Sequence, residues 1–285
     1  MKNILDKQNA VLRKSFSELA RHTFEISFEE WYQKGCWTEK YLPYSICENG
    51  AVIANASANL MKLDFCGEKK NFIQIGTVMT RPDCRGRGLS RKLITEILCD
   101  WTEKCDGIYL FANSSVLGFY PRFGFERADE FVHSRSVAHT AGDFRRLDMS
   151  SAGDVKLLQE CYARSNPFSA LSFENNFGLL MFYCIGFLKD CIYYSESLSA
   201  AAVAEYDGGT LFCHDIFGGD GADLSMLLNA LAAENTTRAV LGFTPKAAQG
   251  FTVSPLEGDD FLFVLKGREN PFRGQKLRFP SLSHA

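Results

Sequence analysis

Residues 71–101, NFIQIGTVMTRPDCRGRGLSRKLITEILCDW, read as a strand, a glycine-and-arginine turn and an amphipathic helix. Phe72, Ile73, Ile75, Val78 and Met79 give strand character, and Pro82, which has no ladder donor, ends the run. Leu89, Leu93, Ile94, Ile97, Leu98 and Trp101 recur every three to four residues and predict a helix with one apolar stripe. Between the two lies Arg85-Gly86-Arg87-Gly88-Leu89-Ser90. Glycines let the backbone approach a ligand closely, and the first helical turn offers unpaired N–H donors at the positive end of a dipole. Arg85, Arg87 and Arg91 add charge to a site suited to a pyrophosphate. A structural turn, or an Arg-Gly nucleic-acid tail, would share part of this pattern.

The next segment narrows the choice. Residues 107–113, GIYLFAN, form a second strand, and residues 114–125, SSVLGFYPRFGF, read as a short helix ending in Gly124-Phe125. This order resembles the GNAT family, the acetyl-CoA-dependent N-acetyltransferases. There a strand is followed by Arg/Gln-x-x-Gly-x-Gly/Ala and a helix, and the next strand leads to an Asn and a Phe-Tyr before a Gly-Phe. The chain supplies Arg85 to Ser90, Asn113, Phe119-Tyr120 and Gly124-Phe125 in that order, with the small Ser90 in place of Gly/Ala.

Length and composition agree with that direction. The 285 residues hold one large domain or two medium ones, and a hydrophobic content of 46% with 23% charged residues is ordinary for a globular chain. A net charge of −3 argues against a general nucleic-acid binder, while a local basic turn suits a small anionic ligand. The ten cysteines include no C-x-x-C pair and match no zinc spacing, so no metal is expected. The opening MKNILDKQNAVLRK has no apolar core, which predicts reduced thiols in a cytoplasmic protein. The apolar run at 177–188 is shorter than the roughly 20 residues of a membrane span and reads as a buried segment.

Residues 4–24 and 27–34 have a helical rhythm, and Asn49-Gly50 predicts a hairpin between strands 44–48 and 51–63. Residues 67–70 turn into the central strand, and residues 131–137 are expected to close the first sheet. After a linker at 140–143 the order recurs: hairpin, strand, glycine turn (218–221), helix, strand, Gly250-Phe251. The second turn carries Asp220 and Asp223, whose charges would repel a pyrophosphate, and Ala247-Ala248 stand near the place of Tyr120. The expected fold is α/β, an α+β mixed sheet. Two tandem GNAT-like domains would each have a mostly antiparallel sheet with a parallel strand–helix–strand crossover. Residues 1–140 form the catalytic domain with the acetyl-CoA site, and residues 141–285 a degenerate copy without one.

The resemblance implies roles. Acetyl-CoA is the co-substrate, held by residues 85–90, with Val78 and Met79 aligning the pantetheine arm and the acyl carbonyl. Asn113 either contacts CoA or caps a helix, and both are compatible. Tyr120 is the acid, since a phenol with an ordinary pKa near 10 stays protonated and can pass its proton to a thiolate. The first helices would wall the acceptor site, although Trp31, Tyr32, Trp37 and Tyr41 serve equally well as core aromatics. The base stays open, because Gln74 and Thr77 stand where many GNAT enzymes place a strand Glu. The stretch IGTVMTRPDCRGRG is similar to multi-domain enzymes of the enhanced-intracellular-survival type, some of which use a terminal carboxylate. Ala285 could take that part if the tail folds back, and Glu29, Glu30, Asp64 and His133 are further candidates. The function implied is N-acetylation of a primary amine on a small molecule or peptide, with no nucleic-acid or membrane partner. The alternative is a non-catalytic acyl-CoA-binding or regulatory module that lost its base.

Overall fold

The computed structural model describes residues 3–284. The first helix, α1 (Ala10–Phe24), starts where the Asn9 side chain accepts from the amides of Val11 and Leu12 at 3.1 and 3.3 Å. The helical rhythm read from residue 4 therefore begins only at 10. The residues before the cap are extended, with Ile4 bridging Tyr44 and the Leu5 amide donating to Pro43. After α2 (Glu29–Gln33) come β1 (Tyr41–Glu48), β2 (Ala51–Phe65) and β3 (Glu68–Thr80), an antiparallel meander whose first turn is Asn49-Gly50. Helix α3 (Leu89–Trp101) then crosses to β4 (Gly107–Asn113), which runs parallel to β3. Leu93, Ile94 and Ile97 are fully buried with the small Ala54, Ala56 and Ala58 of β2 and with Ile73 and Ile75 of β3. Small residues on the sheet let the helix come close. Tyr44 Oη donates to Asp100 at 2.9 Å and accepts from Trp101 Nε1 at 3.1 Å, pinning the helix end to β1.

Residues 114–125 are not one helix. Two 3-10 turns, Ser114–Val116 and Tyr120–Phe123, flank Gly118, and Pro121 supplies no amide to extend the second. The chain continues through β5 (Phe125–Arg127), β6 (Phe131–Ser136), β7 (Arg145–Arg146), α4 (Ala152–Ala163), β8 (Leu171–Glu174), α5 (Phe177–Ile185) and β9 (Ile192–Ser195). Then follow β10 (Ala200–Asp207), β11 (Thr210–Gly218), α6 (Leu224–Leu231), β12 (Arg238–Leu241), β13 (Thr252–Pro255) and β14 (Asp260–Leu265). In the second half β10 and β11 are antiparallel and β12 returns parallel to β11 after α6, repeating the plan of β2, β3, α3 and β4. Even the bulge is repeated, in β3 at residues 77–78 and in β11 at His214.

Two seven-stranded mixed sheets result, ordered β1-β2-β3-β4-β14-β5, with β8 on β2, and β13-β6-β12-β11-β10-β9-β7. The expectation that residues 131–137 close the first sheet is overturned. Strand β6 lies in the second sheet between β13 and β12, and β14, from near the end of the chain, fills the place beside β4. That place is covered on both faces. Phe263 and Leu265 enter the core beneath α3, while Leu262 and Val264 enter the core on the opposite face. A doubly buried strand needs apolar residues at every position. Phe261–Leu265 meets that requirement, with Asp260 at the exposed strand end, and FVHSRS does not. No helix among the described residues is long and apolar enough to cross a membrane.

Candidate active site

The site begins with an irregularity in β3. Opposite Ala56 of β2 the strand carries two residues, Thr77 and Val78, because pairing slips from Ser57–Gly76 to Asn55–Met79. Thr77 has φ of +48°, a left-handed conformation that a β-branched residue enters at a cost of about 1–3 kcal/mol. A buried polar chain holds it there. Asn55 Nδ2 donates to the Thr77 carbonyl and to Ser57 Oγ, both at 2.9 Å, and Ser45 Oγ donates to Asn55 Oδ1 at 2.7 Å. Ser57 Oγ donates to Tyr41 Oη at 3.0 Å, and Tyr41 Oη donates to Thr77 Oγ1 at 2.8 Å. Asn55 and Ser57 are wholly buried, so removing one member leaves partners unsatisfied at about 1–3 kcal/mol. Asn55→Ala should lower the melting temperature by several degrees. A melting temperature equal to wild type would assign the bulge to backbone pairing alone.

The bulge has a geometric consequence. Strands β3 and β4 pair only over Phe72–Ile75 and Gly107–Leu110, while β14 pairs the other edge of β4 over Tyr109–Asn113. The strands part, and residues 76–79 face a cleft instead of a ladder partner. At its end stands the turn. Gly86 and Gly88 have φ of +78° and +73°, and a Cβ on either would meet nothing within 4 Å. The first helical hydrogen bond runs from the Lys92 amide to the Gly88 carbonyl at 3.1 Å. Among the described residues the amides of residues 86–91 donate to no acceptor, which leaves them for an anion. Ser90 Oγ and Thr80 Oγ1 are bonded at 2.8 Å, tying helix to strand. Arg87 pairs with Glu48, which holds that exposed carboxyl below the usual range. Arg85 reaches the Thr80 carbonyl at 3.4 Å.

Val78, Met79, Arg85, Gly86, Arg87, Gly88, Leu89, Ser90, Asn113 and Tyr120 all line one cavity of about 1230 Å³. Asn113 caps the turn that follows it, accepting from the Ser115 amide at 3.1 Å and from its hydroxyl at 2.6 Å. The Tyr120 ring sits in the core, edge-on to Phe119 with centroids 5.2 Å apart. Burial pushes its phenol up to about 12. Among the described residues its hydroxyl has no hydrogen-bond partner, yet it is not sealed from the cavity.

None of the four side chains considered as base lines this cavity. Glu29 accepts from Arg13 Nε at 3.0 Å, and Glu30 lies 4.0 Å from Lys34. Asp64 is paired with Lys69 at 2.6 Å, and His133 is buried in the second sheet. Ala285 lies outside the described residues. Gln74 and Thr77 do line the cavity. The four aromatics divide. Trp31 and Tyr41 line the cavity, while Trp37 and Tyr32 serve the aromatic core around Phe16.

Sequence reasoning missed the far wall, which α5 and the tail supply. Leu179, Phe182, Tyr183, Phe187 and His284 line the same cavity as the turn. Trp31 Nε1 donates to the Gly178 carbonyl at 2.6 Å, where a glycine lets α5 approach the Cys36 carbonyl. The apolar run at 177–188 signalled burial but not its partner. Among the described residues no group of three His, Cys, Asp or Glu side chains is placed to hold a metal ion.

Residues 2–128 match the family model described as an acetyltransferase (GNAT) domain. Similar solved structures include a conserved protein of unknown function from Enterococcus faecalis V583, 15% identical, covering 93% of this chain and 72% of that one with a TM-score of 0.58. Eis1 from Mycobacterium abscessus is 13% identical over 92% and 72% with a TM-score of 0.56. A GCN5-related N-acetyltransferase from Anabaena variabilis is 14% identical over 88% and 69% with a TM-score of 0.55. Comparison with curated proteins finds no match.

Proposed function

We propose that the chain, whose residues 2–128 match a GNAT acetyltransferase domain, is an acyltransferase that moves an acetyl group from acetyl-CoA to a primary amine. Residues 1–140 carry the reaction in this reading, and residues 141–285 are a degenerate copy without a CoA site. The observation that carries it is the meeting of three features in one cavity: the open amides of residues 86–91, the bulge of β3, and the Tyr120 hydroxyl, which has no partner among the described residues.

The amides and Arg85 hold the phosphates through charge-assisted hydrogen bonds, each contributing about 1.5–3 kcal/mol. Backbone groups of Val78 and Met79 take the pantetheine arm as an added strand and polarise the acyl carbonyl. The amine nitrogen attacks the acyl carbon, the carbon–sulfur bond breaks, and Tyr120 passes its proton to the departing thiolate. The nitrogen sheds its extra proton to solvent, and Tyr120 recovers a proton from solvent.

The second turn supports the assignment by contrast. Gly218 and Gly219 are packed where Gly86 and Gly88 are open, although Gly221 is open as well. The Arg164 guanidinium lies against Gly218 and bonds the Ser199 carbonyl, and Ala200 and Leu227 close on Gly219. Asp220 lies 3.5 Å from Arg164, and Asp223 caps α6 by accepting from the Met226 amide at 3.0 Å. Titration calorimetry should give one acetyl-CoA per chain, and acetyl-CoA should raise the melting temperature more than ATP does. Two equal sites would remove the degenerate-copy reading. Absence of thiol release with every amine tried, despite binding, would remove the acetylation reading.

A further inference from the structure

Past the turn the cavity continues into a chamber built by both halves of the chain. Phe28 stacks on Phe182 with centroids 5.3 Å apart, Phe187 meets Phe182 at 6.0 Å, and Phe111 stacks on His284 at 3.6 Å. Phe187, two residues past the end of α5, is 62% exposed at the rim. Tyr183 Oη is already committed, donating to the His284 carbonyl at 2.5 Å.

Two polar facts stand out against these apolar walls. Gln74 lines the chamber at 2% exposure, and its amide oxygen is covered and has no hydrogen-bond partner, so a half-turn of the terminal amide would bring that oxygen to a ligand. A buried amide left unpaired is unfavourable unless something else completes it. Asp260 is the one carboxylate among the described lining residues, and it lies on the strand end opposite Asn113. Burial pushes the His284 imidazole down to about 3, so it adds no charge. A polyamine brings several cationic centres into a chamber with one anion, whereas an apolar body with a single nitrogen matches what the walls present.

We propose that the acceptor is a primary monoamine carried on an aromatic or alkyl body, its nitrogen bound at the Gln74 amide and its body held by Phe28, Phe182 and Phe187. This rests on the acetylation reading above and names its substrate class. It also gives the second half a task, because Phe182 and Phe187 come from it.

The test uses the full chain with acetyl-CoA and compares phenethylamine, spermidine and glycine by thiol release. Phenethylamine should exceed the other two in kcat/KM at least about tenfold. Phe187→Ala, at an exposed rim position where folding is not threatened, should raise the phenethylamine KM about tenfold. Gln74→Met, which keeps volume and removes the amide, should raise that KM about tenfold or more while the acetyl-CoA Kd stays unchanged. Preference for spermidine or glycine overturns the substrate class alone. Wild-type KM in both variants overturns the placement of the amine. Acetyl-CoA binding with no thiol release from any of the three overturns the acetylation reading and this inference with it.

Discussion

Tyr120→Phe should lower the rate of acetyl transfer by about 10²–10⁴ while leaving acetyl-CoA affinity close to wild type. The substitution deletes one oxygen and keeps the ring in its edge-on contact with Phe119 and in the core with Phe125 and Phe263. Since the hydroxyl has no partner among the described residues, its loss strands no buried donor or acceptor. Folding stability should therefore change little. With its phenol pushed up to about 12, Tyr120 holds its proton throughout the neutral range until the thiolate forms. An effect confined to turnover marks a group acting in the transition state. A variant with wild-type turnover on an identified amine would make Tyr120 a packing residue and leave thiolate protonation to water.

Gly88→Val should weaken acetyl-CoA binding by about a hundredfold or more, since it disturbs several charge-assisted bonds at once. Two effects act together. At φ of +73° valine strains the backbone by about 1–3 kcal/mol, and its side chain projects into the open face that the phosphates need. The protein has no atom within 4 Å of a Cβ there, so steric conflict arises with the ligand and not with the fold. Far-ultraviolet circular dichroism should stay native. Gly88→Ala separates the causes, because it meets a left-handed penalty of about 1–2 kcal/mol with a smaller intrusion. Comparable melting temperatures in the two variants with graded Kd values, alanine between glycine and valine, would mark the side chain as the cause. Wild-type affinity in Gly88→Val would make the turn structural only.

The sequence alone determined the parts whose physics is short-range. The parting of β3 from α3 at Pro82, the RGRGLS turn, the Asn49-Gly50 hairpin and the apolar stripe of α3 all follow from turn chemistry and periodicity within about twenty residues. The repeated order of hairpin, strand, glycine turn, helix and strand was legible for the same reason. Pairing over long separations was decided only by tertiary structure. Which strand stands beside β4 depends on burial on two faces, and DFLFVL from residues 260–265 outcompetes the nearer FVHSRS because its apolar residues satisfy both. The site divides along the same line. Its glycine turn could be read from the sequence, whereas the Asn55–Tyr41–Thr77 chain that holds the bulge and the Phe182–Phe187 wall arise from contacts between distant segments. Burial and hydrogen-bond satisfaction act between segments that only the folded chain brings together, so no local pattern carries them.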